Sequence, residues 1–256
     1  MSIGIATWNI LADHHIQPDL YPRSPVHILR PGARRWPIAE RVHRLARSPE
    51  IDFVFLQEVD GYMARQFTDM ATSNRWTVYY ALTRSDGAEG CLALACGGWR
   101  VHEIEVLPYQ SAAGNNAQHL LVGRGPDSSI DLYHTHIRWG SEETFILQRQ
   151  VTELIGWAGE QTRPTVILGD LNITPTTTML ADLVNSGFDD THRNEDVCTA
   201  LLFNATRLRL DYILTRAMSG VPIVLGDNAI DDGQPIPTPT NPSDHLPIAA
   251  TLSALR

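Results

Sequence analysis

Glu58, Asp170, Asp211 and Asp244 are where chemistry is first legible, because each adjoins strongly apolar neighbours in "IDFVFLQE", "TVILGD", "LRLDYIL" and "SDHLPIAATL". A lone ionised carboxylate in such surroundings is costly and takes up a proton instead, so several together call for a cation. Two amides stand with them, Asn9 at the end of "IGIATWN" and Asn172 in "GDLN", and no thiolate does. An amide left unpaired in a core costs about 1–3 kcal/mol, so Asn9 must face something polar. An oxygen-rich set of this kind suits Mg²⁺ or Mn²⁺ rather than zinc, with waters retained and room for a substrate phosphate. Any one carboxylate alone reads as a helix cap or a surface ion-pair partner. Four at matching strand ends, beside two asparagines and two histidines, read as a site.

The histidines divide. His134 and His136 alternate in "DLYHTHIRW", which puts both on one face of a strand, and a satisfied surface pair fits that alternation equally well. His245 follows Asp244 directly, so the two side chains diverge and serve separate tasks. Asp211 is the natural carboxylate to hold His245 in one tautomer and make it a better proton acceptor. Hydrolysis of a phosphoester needs a cation to neutralise phosphate oxygens, an in-line water and a group that helps the leaving oxygen. These residue types supply all three.

The elements that must position them are strands. Apolar, β-rich segments recur as "IGIATWN", "IDFVFLQE", "WTVYYAL", "CLALAC", "WRVHEIEVL", "HLLVG", "SIDLYHTHI", "TVILGDLN", "LRLDYIL", "VPIVLG" and "LPIAATL". Helical periodicity appears in "WPIAERVHRLAR", where Ile38, Val42, Leu45 and Ala46 share a face, and in "ETFILQRQVTELIGWAGEQ", where Phe145, Ile146, Val151, Leu154, Ile155 and Ala158 approximate another. Many strands with few long helices, in no strict alternation, predict an α+β fold of large packed sheets with helices outside. A buried strand that ends in a carboxylate delivers it to the sheet rim on a rigid element. The two units formed by a helix followed by "IDFVFLQE" and by "TVILGDLN" look alike and suggest an internal duplication.

Taken in order, "TWNILAD", "LQEVD", "HTHIRW" with "LQRQ", "LGDLN", "LDYIL" and "SDHLPI" resemble the endonuclease/exonuclease/phosphatase superfamily, the deoxyribonuclease-I-like fold, over nearly the whole chain. The "WNILAD" start, Trp36 and Arg41 ahead of "LQE", the "DGAEGCLALA" stretch and "THIRW" look most like the branch holding the deadenylases, nocturnin and the angel-type proteins. The resemblance implies a two-sheet β-sandwich flanked by helices in four layers, α/β/β/α. It implies Glu58 as principal Mg²⁺ ligand with Asn9 and Asp244 helping to set the metal and its waters. Asp170 would position or deprotonate the attacking water, and Asn172 would orient it. His245 with Asp211 would act as general base or steady the transition state, and His136 would contact the scissile phosphate. Asn116 is a candidate substrate contact by the same resemblance, with a turn asparagine at least as good a reading. Arg138 and Trp139 could bind phosphate and stack a base, or cap a helix and half-bury. Arg207 and Arg209 could greet an anionic substrate, with a solvated strand edge the safer reading.

At 256 residues and 43% hydrophobic, with no low-complexity linker, the chain is expected to form one domain over 1–256. A net charge of −9 removes the broad basic face of a simple nucleic-acid binder, although a metal inverts the local field toward phosphate. Cys91, Cys96 and Cys198 form neither a disulfide framework nor a zinc spacing. No membrane span, secretory leader or protein partner is indicated, so a cytoplasmic monomer is expected. The expected activity is Mg²⁺-dependent hydrolysis of a phosphoester in a nucleic acid or nucleotide, the alternatives being a small-molecule phosphatase and a catalytically dead binding module. Substrate choice is expected in 14–36, as one wall of the site, and in the 231–242 loop. "SDHLPIAA" must lie beside "ATWNILAD" in space.

Overall fold

Strands β1 (Ser2–Asn9), β2 (Phe53–Asp60) and β8 (Thr165–Asp170) are buried at nearly every position rather than at alternate ones, because each is covered on both faces. The computed structural model describes the chain apart from residues 1, 83–87, 112–114, 126–127, 140–143, 160, 196, 204–205, 227–233 and 256. The remaining elements are α1 (Arg35–Arg47), α2 (Gly61–Asn74), β3 (Thr77–Leu82), β4 (Glu89–Ala95), β5 (Arg100–Pro108), β6 (Asn116–Gly123), β7 (Ser129–His136), α3 (Thr144–Gly159), α4 (Thr178–Asn185), β9 (Asp189–Asp190), β10 (Ala200–Leu202), β11 (Thr206–Leu208), β12 (Asp211–Arg216), β13 (Met218–Pro222) and β14 (Ile248–Ala254). Two six-stranded mixed sheets run in the orders β13-β14-β1-β2-β4-β3 and β5-β6-β7-β8-β12-β9, with β10 and β11 as a separate ribbon.

Three apolar clusters make the four layers. Between the sheets lie Ile3, Ile5, Phe53, Phe55, Leu120, Leu132, Val166, Leu168, Ile213 and Leu252. On the outer face of the first sheet, Ile38, Val42 and Leu45 of α1 and Met63 and Phe67 of α2 cover Trp8, Val54 and Leu92. On the outer face of the second, Leu147, Val151 and Leu154 of α3 and Leu180 and Leu183 of α4 cover Tyr133, Ile167 and Tyr212. Truncating one such fully buried leucine to alanine costs about 2–5 kcal/mol. The suggested duplication has a counterpart in the topology: β1 and β2 pair in parallel around α1, as β7 and β8 do around α3.

Several local expectations are corrected. The buried face of α3 is Leu147, Gln150, Val151, Leu154 and Ala158, while Phe145 lies exposed at its first turn. "LRLDYIL" divides between β11 and β12, and only the start of "VPIVLG" is strand, with Val224 beyond it in the open. The 14–36 segment folds as two single-turn helices, Asp13–His15 and Pro18–Leu20, followed by turns. It is pinned by Arg34, whose buried guanidinium donates to the carbonyls of Ile10, Leu11 and Pro242 and to Asp13. Of the 231–242 loop, residues 231–233 lie outside the described residues; Asn241 at its end accepts from Arg41 of α1 at 2.9 Å.

Candidate active site

The rim carboxylates arrive by register. In the second sheet Asp170 pairs with His136 of β7 on one side and with Asp211 of β12 on the other, so three functional side chains stand in one row. Gly169 sits just before Asp170 at φ +124°, and a Cβ there would meet the Thr135 carbonyl at 2.1 Å, so only glycine lets β8 approach β7 this closely. In the first sheet a β-bulge between Leu56 and Val59 inserts one extra residue into β2, with Glu58 at φ +56°. The bulge re-aims Glu58 at the rim. Leu11 (φ +55°) and Asn172 (φ +50°) are also left-handed, and non-glycine residues in that region cluster at functional sites.

Asn9 joins the two sheets. Its Nδ2 donates to Glu58 Oε1 at 2.8 Å and to Asp170 Oδ2 at 3.0 Å, while its Oδ1 accepts from the Leu11 N–H at 3.0 Å. The amide therefore clamps two carboxylates together, and its oxygen is committed to the backbone. The second Glu58 oxygen accepts from Ala12 N–H at 2.9 Å. Burial alone would raise the Glu58 carboxyl, but His136, His15 and the Asn9 and Ala12 donors outweigh it and hold it below its ordinary value.

Asp170 is flanked by imidazoles. His136 Nε2 lies 3.6 Å and His245 Nε2 3.7 Å from Asp170 Oδ2, and its Oδ1 accepts from Asn172 N–H at 2.9 Å. The Asn172 side-chain amide donates to the Ile137 carbonyl at 2.7 Å, which fixes its plane. His245 Nδ1 meets Asp211 Oδ2 at 2.8 Å, the pairing expected from sequence. Burial would depress His245, yet Asp211, then Asp170 and Asp244, carry it well above its ordinary value.

"SDHLPIAA" does lie beside "ATWNILAD". β14 pairs antiparallel with β1, Ser243 Oγ donates to the Asn9 carbonyl at 2.8 Å, and Trp8 Nε1 donates to the His245 carbonyl at 2.9 Å. Asp244 accepts from Tyr21 Oη at 2.8 Å, and burial raises its carboxyl. Tyr21, Ser243 and Thr199, whose hydroxyl accepts from Leu210 and Asp211 N–H, are supporting residues that sequence reasoning missed. Only Ser243 carried a signal, through its place beside Asp244.

Other candidates fall away from this row. His134 is wholly buried rather than on the surface, where it joins Gln118 Oε1 at 2.9 Å and Gln57 Nε2 at 2.6 Å between the sheets. Asn116 donates to the Leu82 carbonyl and ties β6 to β3. Arg138 and Trp139 lie exposed on the turn after His136. Arg209 is buried, its Nη2 donating to both Asp190 oxygens at 2.5 and 2.7 Å and its Nη1 to the His192 carbonyl, and it is not a solvated edge residue, while Arg207 is exposed.

The carboxylates fit a divalent cation. Glu58, Asp170, Asp211 and Asp244 are nearly removed from solvent, and among the described residues the only ion partners of the first three are imidazoles. That excess of buried negative charge, with oxygen donors on the Glu58 side, is the arrangement a hard cation stabilises.

The profile of the Endonuclease/Exonuclease/phosphatase family matches residues 6–245. The fold is similar to that of ANGEL2, described as a 2′,3′-cyclic phosphatase and solved with adenosine-2′,3′-vanadate, at TM-score 0.81 and 15% identity over 98% of this chain and 95% of that one. It is similar to the human Nocturnin catalytic domain with bound sulfate at TM-score 0.77 and 17% identity, over 99% and 95% of the two chains. It is similar to TDP2 of D. rerio complexed with single-strand DNA product at TM-score 0.70 and 16% identity, over 99% of each chain. No curated protein matches the chain. At these identities the solved structures bear on the fold alone, which is the two-sheet, deoxyribonuclease-I-like sandwich that the motifs resemble.

Proposed function

The chain belongs to the endonuclease/exonuclease/phosphatase family of phosphoester-cleaving enzymes, and from that premise we propose that it is a Mg²⁺- or Mn²⁺-dependent hydrolase acting on a nucleotide-type substrate, as a nuclease or nucleotide phosphodiesterase. One observation carries the reading: the Asn9 amide holds Glu58 and Asp170 together while His136 and His245 both face the same Asp170 oxygen.

Glu58 would hold the cation, with Asp244 and the Asn9 clamp setting its surroundings. When bound, the ion supplies charge neutralisation at phosphate oxygens and a more acidic water. Asp170, oriented by the Asn9 and Asn172 N–H groups, takes the proton from the attacking water. His245, with Nδ1 tied to Asp211, turns its Nε2 edge toward Asp170 and the phosphate, where a fixed donor stabilises charge that develops in the transition state. His136 does the same from β7. Arg138 and Trp139, exposed two and three residues beyond His136, would lean on a nucleobase or second phosphate, while Asn116 ties β6 to β3. The adenosine-2′,3′-vanadate in ANGEL2 and the single-strand DNA in TDP2 support a nucleotide-type substrate. In this reading the 256 residues form one catalytic domain, a monomer in the cytoplasm, where three free cysteines suit a reducing medium. Among the described residues no helix is long and apolar enough to cross a membrane.

The test is hydrolysis of a chromogenic phosphodiester with Mg²⁺ and with EDTA, by wild type and Glu58→Gln. Activity should vanish with chelation and with the substitution. Turnover indifferent to both overturns the reading in favour of metal-free chemistry, and no turnover on oligo(A), mixed RNA, DNA, nucleotides or sugar phosphates leaves a binding module.

A further inference from the structure

His14, His15 and Glu89 form a second convergence of ligand atoms, near the Glu58 oxygen that Asn9 does not bind. The two histidines occupy the single-turn helix Asp13–His15 that follows β1, and Asp13 fixes that turn by accepting from Gly32 N–H at 2.8 Å and Arg34 at 3.1 Å. Glu89 opens β4 opposite Asp60, one step beyond the bulge that re-aims Glu58. His15 Nε2 lies 2.9 Å and His14 Nε2 3.1 Å from the same Glu89 oxygen, and one ligand atom from each residue falls within 4.8 Å of the others.

We propose that this cluster is a second cation site, taking a borderline divalent ion such as Zn²⁺ or Co²⁺. Ions of this class sit about 2.0–2.2 Å from imidazole nitrogen and carboxylate oxygen, which places neighbouring ligand atoms a little over 3 Å apart, so the observed His–Glu separations need to open by only a few tenths of an ångström. Two imidazoles with one carboxylate favour a borderline ion over Mg²⁺, whereas the oxygen donors at Glu58 favour Mg²⁺. The site is open: the His14 and His15 side chains are 39% and 34% exposed, and the Glu89 side chain only 5%. An ion can enter from solvent onto a fixed carboxylate and keep further positions for water or substrate. His15 Nε2 is 3.9 Å from Glu58 Oε2, so this ion would border the hydrolytic site and present a cation to an anionic group of the substrate next to the scissile phosphate. Existence of the site stands on its own geometry; that last role rests on the hydrolase reading.

The experiment is equilibrium dialysis of the whole chain against Zn²⁺ in excess Mg²⁺, with the visible d–d spectrum of Co²⁺ as a second readout. Wild type should bind one equivalent of Zn²⁺ and give the absorption of nitrogen-ligated Co²⁺. His14→Gln and Glu89→Gln should each weaken binding by at least about 100-fold, above the range for outer-shell changes, and Glu58→Gln should retain it. His14→Gln, at a well-exposed ring, is the variant that keeps the test valid if Glu89→Gln destabilises the fold. No tight equivalent in wild type, an unchanged Kd in His14→Gln, or loss of the equivalent in Glu58→Gln overturns the proposal. Because hydrolysis is not the readout, failure of the hydrolase reading leaves the result intact.

Discussion

Asn9 separates the electrostatics of the site from the stability of the fold, because its two ends do different work. The oxygen satisfies the Leu11 N–H, and the nitrogen donates to two carboxylates, at 2.8 and 3.0 Å. Asn9→Asp preserves the acceptor and replaces the donor with an anion at the same distances. Two unit charges about 2.9 Å apart repel by roughly 6 kcal/mol at an effective dielectric near 20, more than the cost of taking up a proton, so the cation-free variant protonates and loses stability. A bound cation offsets that repulsion. Asn9→Ala instead removes two hydrogen bonds to charged groups, worth about 1.5–3 kcal/mol each, and strands a buried N–H at about 1–3 kcal/mol. The assay is thermal unfolding in EDTA and in saturating Mg²⁺, beside phosphodiester turnover. Asn9→Ala should be destabilised in both media and lose at least about 100-fold in rate, the equivalent of its two charged bonds. Asn9→Asp should be destabilised in EDTA and recover most of the loss with Mg²⁺, gaining more from the ion than wild type does. If Asn9→Asp unfolds as wild type does in EDTA and Mg²⁺ adds no extra stability, the clamp does not control the charge of this site.

His245→Ala should cost at least about 100-fold in rate, the scale of a fixed donor that stabilises transition-state charge. Asp211→Asn should cost about 10- to 150-fold for a charge-assisted bond, and the double variant should be no worse than His245→Ala in steady-state kinetics; additive losses would refute action of Asp211 through His245. Burial, with a smaller push from His136, lowers His134 to about 3. The unfolded chain therefore binds a proton that the folded chain refuses below about pH 6.5, and stability falls as the pH drops through that window, by about 2 kcal/mol between pH 7.5 and pH 5. His134→Gln should flatten that dependence in denaturant titrations, and an unchanged slope would count against a neutral buried imidazole. Arg34→Met leaves three buried carbonyls without their donor and Asp13 with Arg35 alone as ion partner, a loss of about 3 kcal/mol. The melting temperature should fall by roughly 10 °C; a drop under about 3 °C would show that other contacts hold the 14–36 wall.

Legibility followed the range of the forces involved. The carboxylates could be picked out because each ends a run of apolar residues, and a charged group in that setting needs an explanation wherever the chain goes. Their order along the chain was enough for the resemblance, and the His245–Asp211 pair followed from the chemistry of a lone imidazole beside spare carboxylates. Arg209 reads as a solvated edge residue because its partner 19 residues away, Asp190, has no signature in its own neighbourhood. Phe145 fits the apolar period of α3 yet lies exposed, because an apolar residue at a helix start fits the period whether or not a sheet lies beneath it.

Hydrophobic period and strand-end position are local properties, so the order of residues alone dictates which side chains require a polar centre and that strands deliver them to a rim. What each atom does depends on how the sheets pack. Asn9 lies on β1 and Asp170 on β8, in different sheets, and the packing of those sheets makes one amide nitrogen the donor to both Glu58 and Asp170 while its oxygen turns to the backbone. The meeting of His14 and His15 with Glu89 is likewise set by a bulge in β2 and a turn pinned by Arg34, contacts between segments tens of residues apart whose closure depends on the whole fold.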